Sequence, residues 1–191
     1  MQPLEDWGLG NALRVGNDAD VQARLAAALL QPDAREIIER ANHIAREHSV
    51  FDHEYHGRDD LGVMTIDFGP DGRSANIVNR DTNAVNAFGK ILNGFQIDEA
   101  KNVGNALRVD NEPDVLAQLG QVVRDPDAWS IIKSANFWST QHAWWDQHGP
   151  TGDGEAFLNV NPNNTVDLFN RNNGSIRPVA RDIGTDKGRI L

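Results

Sequence analysis

One hexapeptide occurs twice in this chain, and the repetition constrains the fold more than any other feature of the sequence. Gly10–Val15 and Gly104–Val109 both read Gly-Asn-Ala-Leu-Arg-Val. At the same offset, residues 10–52 and 104–146 are identical at 20 of 43 positions. Self-similarity of this extent indicates an internal duplication. We therefore expect two similar structural units.

The predicted fold class is α+β, with two tandem copies of a helix-helix-β-hairpin unit related by a pseudo-twofold axis. The first repeat covers residues 1–96, and the second covers residues 97–191 and ends in a polar tail. No Pro- or Ser-rich linker separates the copies, so we expect them to pack closely, as the subunits of an obligate dimer do. The groove on this axis is the natural place for a site.

Helices and hairpins are predicted at matching places in both repeats. Asn17 and Asn111 are N-cap signals before apolar residues with helical spacing, and Pro32 and Pro126 mark the start of the next helix. Period-two alternation around turn residues then predicts one hairpin in each repeat. The predicted hairpin strands are 63–68 with 75–80, and 156–161 with 166–171.

The repeats are expected to differ after their hairpins. Val85, Phe88 and Leu92 have helical spacing, with Gly94 as a C-cap, so a short helix is predicted in the first repeat. The second repeat has Pro178 in this region, and we expect a loosely held tail from there onward.

The charge of the chain restricts its partners. It has 18 Lys and Arg against 28 Asp and Glu, a formal net charge of -10 and a pI of about 4.9. This balance repels phosphate backbones and anionic membranes, so we expect no conventional nucleic-acid binding and no membrane binding. Attraction to a basic protein partner and mimicry of nucleic acid both stay open, but the interpretation that we favour is that the acidic charge serves solubility alone. The chain has no Cys and no leader-like apolar run, and we expect a cytoplasmic protein.

A pair of His-x-x-x-Asp motifs is the strongest candidate for chemistry. The motifs are His48 with Asp52 and His142 with Asp146, and the spacing of four places both side chains on one helical face. If the two helices met, the four groups would suit Zn, Fe or Mn, with His56 as a further ligand. The alternative, which we favour, is that each His is held by its own Asp. We predict no cofactor, with a divalent metal as the alternative.

Aromatic residues are concentrated in the second copy of the helix that carries these motifs. Phe137, Trp138, Trp144 and Trp145 have no aromatic counterparts in the first copy except Phe51. Two adjacent Trp residues cannot both point inward, so at least one ring should lie at a surface, a groove or the interface between the copies. We favour a contact between the copies, and the alternative is that this set is the site that binds a partner.

Two duplicated pairs of asparagines are further candidates. Asn42 matches Asn136, and Asn79 matches Asn170 on the inward face of a predicted strand. A buried amide needs partners for both its N–H and C=O groups, which are supplied by backbone or by a ligand. We favour a structural use.

These observations lead to one functional hypothesis and two alternatives. The acidic surface, the duplicated scaffold and the aromatic set favour a protein-interaction module of inhibitor or immunity type, and not an enzyme. The first alternative is a metal-dependent enzyme that uses the His/Asp cluster between the repeats, and the second is an assembly protein.

Overall fold

The computed structural model describes residues 3–51, 62–146 and 154–191, with side chains over 6–47, 62–140 and 154–191. Within these ranges the fold is α+β, with six helices and two antiparallel sheets, which confirms the predicted class. The chain divides into two compact units, Met1–Ile91 and Leu92–Leu191.

The first unit has three helices followed by three strands. They are α1 (Pro3–Val15), α2 (Asp18–Ala28), α3 (Ala34–Phe51), β1 (Met64–Phe68), β2 (Ser74–Asn79) and β3 (Val85–Lys90). The strands form one antiparallel sheet in the order β1-β2-β3, so β1 and β3 are its edges. Asn17 caps α2 by accepting a hydrogen bond from the N–H of Asp20, as its position in the sequence predicts.

The second unit has the same order of elements and one additional short strand. Its elements are α4 (Gly94–Arg108), α5 (Glu112–Val122), α6 (Ala128–Asp146), β4 (Ala156–Val160), β5 (Val166–Asn170), β6 (Ile176–Arg181) and β7 (Arg189–Ile190). The strands form an antiparallel sheet in the order β4-β5-β6-β7. Both predicted hairpins are therefore present, each as part of a larger sheet.

The first helix of each unit crosses the third at a glycine of the repeated hexapeptide. A Cβ atom on Gly10 would lie 2.8 Å from Ile44 Cγ2, and one on Gly104 would lie 2.7 Å from Trp138 Cδ1. The absence of a side chain lets these helices approach closely. Packing thus explains why the hexapeptide begins with glycine in both places.

An asparagine on the third helix fastens each sheet to its helices. In the first unit, Asn42 Nδ2 donates to the carbonyl oxygen of Ile66 at 2.7 Å, and the N–H of Ile66 donates to Asn42 Oδ1 at 2.9 Å. Asn136 makes the same two bonds to Leu158 at 2.7 and 2.9 Å. Each asparagine side chain thus hydrogen-bonds to the edge strand, β1 or β4, as the backbone of a neighbouring strand would. We refer to these contacts as the amide clamps.

The second pair of asparagines shapes the turn after the middle strand. Asn79 Oδ1 accepts hydrogen bonds from the N–H groups two and three residues later, at 2.9 and 3.1 Å, and Asn170 Oδ1 does the same at 2.9 and 3.1 Å. Each turn then contains a left-handed residue, Asn83 with φ 61° or Gly174 with φ 72°. The Oδ1 atoms of both residues therefore have a structural use.

Two expectations about the ends of the units were wrong. Residues 85–90 form strand β3 and not a helix, because Val85 pairs with Val78 in the ladder and the sheet overrides a weak helical spacing. Gly94 begins α4 and does not end a helix, since Asn93 and Gln96 form a reciprocal capping box there. The end of the chain is not a loose tail, since β6 and β7 belong to the second sheet.

The first helix of each unit was missing from the predicted order. Both α1 and α4 contain several glycines or asparagines, which have low helix propensity, and burial against the third helix compensates. Helix α4 also runs through residues 96 and 97, where the sequence placed the division between the repeats.

The amide clamps should be essential to stability. Replacing Asn136 by Leu removes the partner of the N–H and of the carbonyl oxygen of Leu158. Because Leu158 is only 1% exposed, water cannot readily replace these hydrogen bonds. We expect the free energy of unfolding to fall by about 2–4 kcal/mol, measured by urea denaturation.

Two control variants define this result. Asn136→Asp keeps the acceptor for the N–H of Leu158 but places a carboxylate oxygen against its carbonyl oxygen, so at neutral pH the loss should be at least as large as in Asn136→Leu. Asn105→Ala, at an exposed position of α4, should change the stability by no more than about 0.5 kcal/mol. A loss no larger in Asn136→Leu than in Asn105→Ala would contradict the clamp.

The turn between β1 and β2 should be sensitive to acid. Asp71 accepts hydrogen bonds from the N–H groups of Ser74 and Arg73 and from Ser74 Oγ, which lowers the pKa of Asp71 from 3.8 to about 2. Because the folded-state pKa lies below the unfolded one, this stabilisation is present above about pH 4 and is lost as the pH falls through 2. NMR titration of the Asp71 carboxyl group should give the lowered value, and an ordinary value would contradict the turn geometry.

Candidate functional site

The predicted metal ligands lie outside the described side chains. His48, His142 and Asp146 are in the C-terminal turns of α3 and α6, where the backbone alone is described, and Asp52 and His56 lie outside the described residues altogether. Among the residues that the structure does describe, no group of three or more His, Asp or Glu side chains could hold a metal ion. The two-His, two-carboxylate site stays a prediction.

The predicted aromatic set is described in part. Phe137 and Trp138 are half-buried on α6, and Lys101 Nζ lies 5.2 Å from the centroid of the Trp138 ring. Trp138 also contacts α4 where the two helices cross, so it contributes to packing within the second unit. The side chains of Trp144 and Trp145 lie outside the described residues, and their contact with a partner stays a prediction.

The second sheet has apolar side chains on both of its faces. Those on the inner face are buried, whereas a second row crosses the opposite face on β4, β5 and β6. This row consists of Phe157, Phe169 and Ile176, which are direct neighbours in the ladder. We call it the aromatic row after its two phenylalanines. The two Phe ring centroids are 4.9 Å apart, and Ile176 is 65% exposed. We refer to this side of the sheet as the outer face.

The first sheet differs at the matching positions. Thr65, Val78 and Val85 are the corresponding neighbours on β1, β2 and β3. Thr65 and Val78 are buried, and Val85 is 61% exposed. Two aromatic rings are therefore found on the outer face of the second sheet where the first has a threonine and a valine.

An arginine after the middle strand reflects the same difference. In the first unit, Arg80 Nη2 donates to Thr65 Oγ1 at 2.6 Å and to Asp67 Oδ1 at 3.1 Å. In the second unit, Phe157 replaces the threonine, and the guanidinium carbon of Arg171 lies 4.6 Å from its ring centroid. The arginine after the middle strand thus stacks on an aromatic ring in the second unit, and it is exposed there.

Two further arginines face each other on the last two strands of the second sheet. Arg181 of β6 is directly opposite Arg189 of β7, and both are exposed. Cross-strand partners share one face of a sheet. Arg181 Nε lies 3.8 Å from Asp182 Oδ2, and both side chains are about half exposed. We refer to Arg181 and Arg189 as the arginine pair.

A shallow groove lies elsewhere in the second unit. It has a volume of about 410 Å³ and is lined by residues that include Pro126, Trp129, Pro162 and Thr185. Lys133 Nζ lies 3.9 Å from the centroid of the Trp129 ring, and burial lowers the pKa of Lys133. The Thr185 hydroxyl donates to the carbonyl oxygen of Asp182. Trp129 gives the groove an aromatic lining, but the Thr185 hydroxyl already donates a hydrogen bond within the protein.

Sequence reasoning missed the outer face, although a signal was present. The predicted strands 156–161 and 166–171 were assigned a single apolar face by alternation, yet Phe157 and Phe169 fall on the other face. When apolar residues occupy both the odd and the even positions of a strand, both faces of its sheet are apolar. The face that does not pack on the core then indicates a contact with something else.

No helix in the described ranges is both long enough and apolar enough to span a bilayer. Comparison with protein-family models, with curated proteins and with solved structures gives no match for this chain.

Proposed function

We propose that this chain is a protein-interaction module of inhibitor or immunity type, and that the outer face of the second sheet is its binding surface. The observation that carries this proposal is the aromatic row, an apolar line that crosses three strands on the side opposite the core. Aromatic and arginine side chains are enriched where proteins bind one another. The outer face combines both types.

The comparison between the sheets supports a specific role for this face. Thr65 and Val78 are buried in the first sheet, and Arg80 has its acceptors within its own unit. In the second sheet, the matching positions hold Phe157 and Phe169, and Arg171 is stacked on Phe157. Ile176 is 65% exposed and its counterpart Val85 is 61% exposed, so the two rings are what distinguishes the second sheet. An exposed apolar side chain gains free energy when a partner covers it, at roughly 25 cal/mol per Å² of apolar surface.

We further propose that the two units are tandem copies of one unit, of which the second has acquired this surface. The identities between residues 10–52 and 104–146 support this, as do the amide clamps, which have the same geometry in both units. The pseudo-twofold axis between the copies stays a prediction.

Photocrosslinking with matched exposed positions tests the binding surface. Benzoylphenylalanine is placed at Ile176 in one variant and at Val85 in another, because these residues are 65% and 61% exposed and follow the same turn in their units. Irradiation in a lysate of the source cells, followed by mass spectrometry, should identify a protein bound at Ile176 and none at Val85.

The crosslinked protein is then purified and its affinity for the unlabelled chain is measured. Ile176→Ser should weaken binding by ~1–2 kcal/mol through lost apolar contact, whereas Val85→Ser should leave it unchanged. Equal crosslinking at both positions, or none at Ile176, would overturn the proposed surface.

A further inference from the structure

The charge of the chain is distributed unevenly, and the second sheet contains the exception. Residues 1–170 have 13 Lys and Arg against 26 Asp and Glu, whereas residues 171–191 have five against two. This last segment includes β6, β7 and the turn before β6. One end of the second sheet is therefore basic in a chain that is acidic elsewhere.

The arginine pair places part of this charge in an unfavourable arrangement. Like charges directly opposite one another destabilise a sheet, and Arg181 faces Arg189 across the ladder. The ion pair of Arg181 with Asp182 is too exposed to contribute much. In the first sheet, Lys90 is the last residue of β3 and lies opposite Ser74, so no such repulsion occurs at this pair. A bound anion would neutralise the repulsion in the second sheet.

We propose that the outer face binds a short acidic segment of a partner protein, with carboxylates on the arginine pair and an apolar side chain on the aromatic row. The proposal rests on the proposed function, and it specifies the chemistry of the partner. Arginine suits this role because its planar guanidinium binds a carboxylate through two parallel hydrogen bonds. Ile176 and Arg181 begin and end β6. A register shift beside β5 places Ala180 opposite the buried Val166, so the next residue, Arg181, lies on the outer face together with Ile176.

The aromatic row favours a protein segment over a nucleic acid. Binding of single strands relies on bases that stack on open aromatic rings, but Arg171 already stacks on Phe157 and Phe169 packs beside it. Ile176 provides aliphatic surface. A long polyanion would also be repelled by the acidic remainder of the chain, whereas a segment with two or three carboxylates meets little of that repulsion.

Peptide binding to the full chain tests this assignment. The probe is a short fluorescent peptide that alternates Glu with Leu and Phe, and it is compared with the same peptide carrying Gln for Glu and with an oligothymidine of equal charge. Anisotropy should show that the Glu peptide binds more tightly than both, and that added NaCl weakens its binding. The double variant R181Q/R189Q should weaken it about tenfold or more, because two charge-assisted contacts are lost.

The variant K90Q is the matched control, since it removes one positive charge from the same end of the first sheet. It should leave peptide affinity within about twofold of the original. In the absence of peptide, R189Q should melt at the same temperature as the original chain or higher, because it relieves the cross-strand repulsion. A structural role for Arg189 would instead lower the melting temperature.

Three results would overturn the acidic-segment proposal. They are the absence of binding by the Glu peptide, equal binding by the Gln peptide, and tighter binding by the oligothymidine. The partner found by crosslinking separates this proposal from the proposed function. If Ile176 crosslinks a protein whose affinity R181Q/R189Q does not change, the surface stands and the acidic segment does not.

Discussion

The amide clamp is the interaction on which the rest of each unit depends. An edge strand exposes a row of N–H and C=O groups, and the helix that packs beside it cannot pair with them through its own backbone, which is already hydrogen-bonded. The side chains of Asn42 and Asn136 supply both a donor and an acceptor to one residue of the edge strand, Ile66 or Leu158. This fixes which face of each sheet is buried against the helices, and it thereby leaves the other face available.

The two units use this common construction for different surfaces. In the first unit, the guanidinium of Arg80 donates hydrogen bonds to Thr65 and Asp67 of the same sheet. In the second, Phe157 stands at the position of the threonine, and Arg171 stacks on its ring. The hydrogen bonds of the amide clamps and of the turns after the middle strands are alike in the two units. Under the proposed duplication, one copy would keep the scaffold while the other acquired the proposed binding surface.

The sequence predicts most of the elements and little of the surface. Caps, prolines and alternation locate α2, α3, α5, α6 and the two hairpins, because these signals are local. The sequence predicts a helix where β3 lies, since Val85, Phe88 and Leu92 have helical spacing, and only the pairing of Val85 with Val78 of β2 makes this segment a strand. The sequence leaves Asn42 and Asn136 with two interpretations, a bond to backbone or a bond to a ligand. Their hydrogen bonds to Ile66 and Leu158 support the first. The arginine pair depends on the register of β6 and β7, which no local pattern reveals.

Hydroxyl-radical footprinting of the free chain and of its complex tests the central claim most directly. This measurement reports the exposure of side chains, and the outer faces of the two sheets provide matched sites in one molecule. We expect the partner to protect Phe157, Phe169 and Ile176 from oxidation, while Val85 of the first sheet remains as reactive as in the free chain. Protection of Val85 with no change in the aromatic row would contradict it.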